Sequence, residues 1–133
     1  MPSTQIHVRK KYSVDEEQAI MEAVHSTLSS VFALPQYDRN IRLVVHEPDH
    51  FACPLYLTQP ASFTWIEIDC FVGRSIETKR KLYQQLVQHL AWLGIPKDHV
   101  SILIRESNLE NWGIRGGKAA ADVDLGFDVK III

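Results

Sequence analysis

The chain opens Met1-Pro2-Ser3. A small residue after an initiator methionine favours removal of that methionine, which would leave Pro2 with a free secondary amine. An α-amino group titrates at roughly 7.7 to 8.0, close enough to neutrality to give or take a proton. Arg74 directly precedes Ser75, which reads as the N-cap of a helix. There, a guanidinium and the unpaired N–H groups of a helix start can converge on one anion. Asp38 stands in the polar corner Tyr37-Asp38-Arg39-Asn40, where a carboxylate can simply cap its own turn. Trp112-Gly113-Ile114-Arg115-Gly116-Gly117 adds an aromatic, an aliphatic and a further cation. Trp112 reads equally as plain core. Arg115, beside two glycines, is a candidate ligand for a carboxylate or an oxyanion. A base near neutral pKa, a cation on a carboxylate and donors for an enolate oxygen are what proton transfer on a 2-oxo acid requires.

Other chemistries find less support. Cys53 and Cys70 are the only cysteines of the 133 residues and form no CxxC; free thiols in a reducing cytoplasm are expected. Six histidines show no ligand spacing, because Pro48 between His46 and His50 forbids a helix there. No metal and no cofactor is expected. The net charge is -2, so no basic balance points to nucleic acid or to an anionic membrane. No apolar stretch approaches the ~20 residues of a membrane span. Arg9-Lys10-Lys11 and Lys79-Arg80-Lys81 read as solvated faces.

The elements that must position these groups follow from periodicity. Residues 4–10 alternate as a strand, with Thr4, Ile6 and Val8 on one face. Pro2 shares that parity. Ser13-Val14-Asp15-Glu16 is a capping box, and Ile20, Ala23, Val24, Leu28, Val31 and Phe32 form the stripe of a helix closed by Leu34-Pro35. A second strand carries Ile41, Leu43 and Val45 on one face. Residues 48–62 hold three prolines and read as a long irregular loop with room for a helical turn. A third strand, 63–72, sets Ile66, Ile68, Cys70 and Val72 on its apolar face. The second helix has the stripe Leu82, Leu86, Val87, Leu90, Leu93, with Gly94 as its left-handed cap. A fourth strand follows at 100–106, with Val100, Ile102 and Ile104 on one face.

The halves match. Ser13 corresponds to Ser75, Leu34-Pro35 to Ile95-Pro96, and Ile41-Leu43-Val45 to Val100-Ile102-Ile104. The expectation is one α/β domain over 1–133. It consists of β-α-β repeats at about 2–47 and 63–106, a connecting loop 48–62 and a C-terminal segment 107–133. Right-handed crossovers make each strand pair parallel, giving a four-stranded sheet with both helices on one face. The other face mixes His7, Arg9, Arg42, His46, Glu67, Asp69 and Arg105 with Trp65, Phe71, Val44 and Leu103. That blend points to coverage by another subunit. The strand-like ending Phe127, Val129, Ile131 and the run Lys130-Ile131-Ile132-Ile133 point to pairing with a neighbouring chain.

Taken together, Pro2, the Pro35-x-x-Asp38-Arg39 corner, Gly73-Arg74-Ser75 and Asn111-Trp112-Gly113-Ile114 resemble the tautomerase superfamily, and within it the malonate semialdehyde decarboxylase branch. The resemblance spans essentially the whole chain. It implies a homotrimer with an inner barrel of sheets, a small-molecule carboxylate substrate and no cofactor. It implies that Pro2 is the catalytic amine, that Arg74 binds the substrate carboxylate, that Asp38 orients water or substrate, and that Trp112 and Ile114 form a hydrophobic wall. One departure stands out. The decarboxylases carry two arginines flanking a proline where this chain reads Val72-Gly73-Arg74; Arg115 is a candidate replacement. The expected activity is therefore tautomerisation. Decarboxylation or hydration within the same superfamily is the alternative, and a non-catalytic trimeric binding protein is the rival from another class.

Overall fold

The computed structural model describes residues 2–126. Its order is β1 (Ser3–Val8), α1 (Val14–Val31), β2 (Ile41–Val45), β3 (Thr64–Phe71), α2 (Ile76–Trp92) and β4 (Val100–Ser107), followed by a small hairpin of β5 (Gly113–Ile114) and β6 (Lys118–Ala119). The strand order of the main sheet is β2-β1-β3-β4. Within each repeat the strands are parallel, and the repeats join through the antiparallel pair β1/β3. The duplicated frame expected from the sequence is thus present. The C-terminal residues 127–133, including Phe127, Val129, Ile131 and the terminal isoleucines, lie outside the described residues, as does Met1.

Local chemistry sets the helix ends. The Ser13 hydroxyl accepts from Glu16 N–H at 3.1 Å and Glu16 Oε1 accepts from Ser13 N–H at 3.1 Å, so the capping box forms as expected. Ser75 caps α2 through Thr78 N–H. Both helices close in the same way. Leu34 N–H returns to Ser29 O at 3.0 Å and Ile95 N–H returns to Leu90 O at 3.1 Å, a Schellman closure in each repeat. The turn residue is Gly94 in the second repeat, at φ 93°, but Ala33 in the first, at φ 52°. The first helix therefore ends before Leu34-Pro35, at a strained alanine.

The core lies between the helices and one sheet face. Ile6, Val8, Val24, Ile66, Ile68, Leu82, Leu86 and Leu90 are fully buried there, with Ile41, Leu43, Val100, Ile102 and Ile104 packed at its margin. Three residues assigned to apolar faces are instead solvent-facing: Val45, Val72 and Leu93. Val72 follows the last residue of β3 and Leu93 is the C-cap of α2, so neither continues its element's periodicity. A second, smaller cluster joins Phe71, Ala120 and Leu125 with Leu109, Trp112, Ile114 and Val123. It fixes the hairpin segment against the end of β3.

The 48–62 loop contains two short 3-10 turns, Pro48–His50 and Pro60–Ser62, each opened by its proline. Pro48 thus begins a helical turn, although a single one. Arg9 organises this loop: it donates to Phe51 O at 2.6 Å, Pro60 O at 2.8 Å and Pro48 O at 3.2 Å. Arg9 is therefore no solvated member of a basic run. On the far side His99 Nε2 accepts from Gln59 N–H at 3.0 Å. A backbone N–H can only donate, so the proton on this buried ring sits at Nδ1, 2.7 Å from Asp98 Oδ1.

Candidate active site

Topology brings the candidate residues to one end of the sheet. Antiparallel pairing of β1 with β3 means that β1 and β2 begin where β3 and β4 end. Pro2 precedes β1, Asp38 precedes β2, Arg74 follows β3, and Trp112 follows β4. Ser3 is in register with Asp69; continuing by one residue sets Pro2 opposite Cys70. On its other side, Thr4 N–H donates to Asn40 O at 3.0 Å, which brings the start of β1 alongside the Asp38 corner. Pro2 is buried, as its parity with Thr4, Ile6 and Val8 required.

Arg74 is held by apolar and backbone contacts. Its guanidinium carbon lies 4.2 Å from the centroid of the Phe32 ring, a cation–π contact with the buried C-cap residue of α1. Nη1 donates a long 3.4 Å bond to Phe71 O. Nε is buried and has no hydrogen-bond partner among the described residues. Burial pulls the Arg74 pKa below its ordinary value, while Cys70, Glu106 and Asp38 oppose that pull. A guanidinium stays charged regardless. The result is a partly desolvated cation. Asp38 is 5% exposed and feels that charge. Thr4, next in the Pro2 row, also has a buried hydroxyl without a partner among the described residues.

The row continues across the sheet with residues the sequence reading did not assign to the site. Cys70 is fully buried and in register with Glu106 of β4. Glu106 has the parity of Ile102 and Ile104, so it stands on the helix-facing side. Lys79, in the first turn of α2, closes on its Oε1 at 2.6 Å. Burial pushes the Cys70 thiol upward, which leaves it protonated and a poor nucleophile. Both cysteines are free. A charge at the end of an otherwise apolar strand face was the available sequence signal for Glu106.

The remaining candidates lie in the C-terminal segment. Trp112 packs edge-on against Phe71, centroids 5.2 Å apart, and its indole donates to Ser107 Oγ at 2.8 Å. Ile114 joins the same cluster. Arg115 is exposed at the hairpin turn and donates to Asp124 O at 2.8 Å. Tyr37 donates to the neighbouring Leu125 O at 2.9 Å, tying this segment to the Asp38 corner.

A four-stranded mixed sheet built from two β-α-β units, with two helices, is the fold of the tautomerases. The Tautomerase_2 family, described as tautomerase enzyme, matches residues 38–115, and the chain belongs to this family. Its curated relatives include the probable tautomerase YusQ of Bacillus subtilis (strain 168), 24% identical over 123 residues, covering 90% of this chain and 97% of that protein. Among solved structures, FG41 malonate semialdehyde decarboxylase inhibited by 3-bromopropiolate superposes with a TM-score of 0.79 at 29% identity, covering 88% of this chain and 92% of the other. Native fused 4-OT gives 0.80 at 18% identity, covering 94% and 99%. The superfamily includes both tautomerase and decarboxylase members.

Proposed function

We propose that this chain is a cofactor-independent tautomerase of a small 2-oxo or enol acid, with Pro2 as general acid/base once Met1 is removed. The observation that carries the reading is buried Pro2, one residue before the Ser3–Asp69 register pair, at the sheet end where Arg74 acts on the Cys70 thiol. Arg74 holds the substrate carboxylate through its guanidinium N–H groups, of which Nη1 makes a long 3.4 Å bond to Phe71 O. The neutral Pro2 nitrogen takes the proton from the carbon beside the keto group. Negative charge then collects on the enolate oxygen, and the protonated amine returns the proton to oxygen or to another carbon. Burial and the nearby guanidinium both favour the neutral amine. Trp112 and Ile114 wall the apolar end of the substrate. Arg115, released from Asp124 O, is the proposed donor to the enolate oxygen.

The working unit we propose is a homotrimer. Fused 4-OT relatives are described as symmetric and asymmetric trimers. The open sheet face here carries Arg105 paired to Asp69 and Glu67 at 2.9 and 3.0 Å, and His7 bonded to His46 at 2.7 Å. A second reading, decarboxylation or hydration with Asp38 aligning water and a protonated Pro2 as acid, is favoured by the burial of Asp38 beside Arg74.

The test joins intact-mass measurement of the N-terminus to an ultraviolet assay of phenylenolpyruvate ketonisation. Pro2→Ala is expected to lose at least about 100-fold in kcat/KM, and Arg74→Ala to raise KM. Active protein retaining Met1 would overturn the amine mechanism, because an acylated nitrogen is not a base. Full activity in Pro2→Ala would overturn the role of Pro2, and no turnover of any enol acid by the wild type would favour a binding protein. Activity that rises as Pro2 deprotonates marks a base; activity that requires the protonated form marks the decarboxylase reading.

A further inference from the structure

The Lys79–Glu106 ion pair is unused by the mechanism above, yet it borders the same site. Glu106 is the register partner of Cys70, and Cys70 is next to Pro2 in the helix-facing row. Two strand spacings, roughly 10 Å, separate the Pro2 and Glu106 positions. Lys79 lies one helical turn above the Ser75 cap, its N–H bonded to Ser75 O at 3.1 Å. Arg74 and Lys79 therefore lie at the same end of α2, and the Lys79 side chain reaches Glu106. The pair is only partly solvated, with side chains 19% and 26% exposed. Each of Arg74, Lys79 and Glu106 acts on the Cys70 thiol, and Glu106 also acts on Arg74.

Charge bookkeeping then distinguishes substrates. Lys79 is a further cation at this end of α2, beyond the one arginine of the Val72-Gly73-Arg74 segment. With Glu106 at 2.6 Å it is neutralised, so at this end of α2 Arg74 is left to meet a carboxylate. A second carboxylate reaching this region would meet the Glu106 carboxylate. We propose that Glu106 restricts the site to monocarboxylates by occupying Lys79, and that Lys79 is a latent second anion ligand. The inference rests on the reading that Arg74 takes the substrate carboxylate.

The test uses unreactive acids matched in skeleton: crotonate against fumarate, and sorbate against trans,trans-muconate, with binding measured by calorimetry on the processed protein at pH 7.5. The readout is the diacid-to-monoacid affinity ratio. Wild type is expected to favour the monoacid of each pair. Glu106→Gln is expected to shift the ratio about tenfold (about 1.4 kcal/mol) toward at least one diacid. Lys79→Met added to Glu106→Gln should abolish that shift. Lys79→Met alone leaves Glu106 unneutralised beside Arg74 and should weaken crotonate, and weaken fumarate more. This single variant gives an independent reading if the Gln variant folds poorly. An unchanged ratio in Glu106→Gln, or a shift that survives loss of Lys79, overturns the proposal. Crotonate binding that depends on Arg74 while the ratio stays fixed sinks this inference alone. Crotonate binding indifferent to Arg74→Ala sinks the carboxylate reading and this inference with it.

Discussion

Phe32→Leu probes the link between packing and chemistry most directly. Phe32 is 2% exposed and its ring lies 4.2 Å beneath the Arg74 guanidinium. Leucine keeps an apolar side chain there but removes the π face and leaves a void. The void should cost about 1 to 2 kcal/mol of stability. The lost cation–π contact, in a partly desolvated setting, adds about 1 to 2 kcal/mol. The packing part falls on folding alone. The cation–π part also falls on function, because the ring fixes where the fork points. Among the described residues Nη1 makes a long 3.4 Å bond to Phe71 O, so the ring is a main support of its orientation. A loss of about 1 kcal/mol of orientation corresponds to a KM rise of about fivefold, with kcat changed less. Urea unfolding and phenylenolpyruvate ketonisation measured on the same preparation separate the two parts. A stability loss of the stated size with KM within twofold of wild type would refute the claim that Phe32 positions Arg74.

Other predictions concern the frame. Ala33→Gly should stabilise the protein by about 1 kcal/mol, because Ala33 pays for a left-handed conformation at φ 52°; Gly94→Ala should destabilise it by a similar amount, both read by chemical denaturation. Arg9→Met strips three loop carbonyls of their donor and should speed proteolytic cleavage within 48–62 several-fold without changing the helical circular dichroism. The acid limb should have two stages. Burial holds the His7 pKa below 6.5, so the fold prefers the neutral ring and stability begins to fall as pH drops through that unfolded value. Glu67 is lowered mainly by the Trp65 indole and Asp69 mainly by Arg105. Their contributions are complete above the unfolded values of 4.5 and 3.8 and disappear as pH falls through the lower folded ones. His7→Gln should remove the first stage and Asp69→Asn part of the second, measured as unfolding midpoints from pH 7 to 3.

Much of this molecule is decided by short-range physics, and that part was legible. The Ser13 and Ser75 caps, the apolar stripes ending in Phe32 and Leu90, and the alternation of Thr4, Ile6 and Val8 depend on neighbours within a turn or a pleat. Repetition of the same signals about 60 residues apart exposed the duplication, and the parity of Pro2 foretold its burial. Hidden from the sequence were the features set by register and by long-range closure. Nothing local says that β1 pairs antiparallel with β3, yet that pairing alone brings Pro2, Asp38, Arg74 and Glu106 to one edge. The Cys70–Glu106 match is a property of two strands whose alignment is fixed by the whole core. Val72 and Leu93 continue a pattern on paper, but the backbone turns away one residue earlier and leaves them in water. Arg9 reads as one of three surface cations until the loop folds back and offers it three carbonyls. The sequence by itself determined the elements and the residue that heads them; the tertiary structure decided what surrounds that residue, because only the closed sheet places distant side chains within reach of one another.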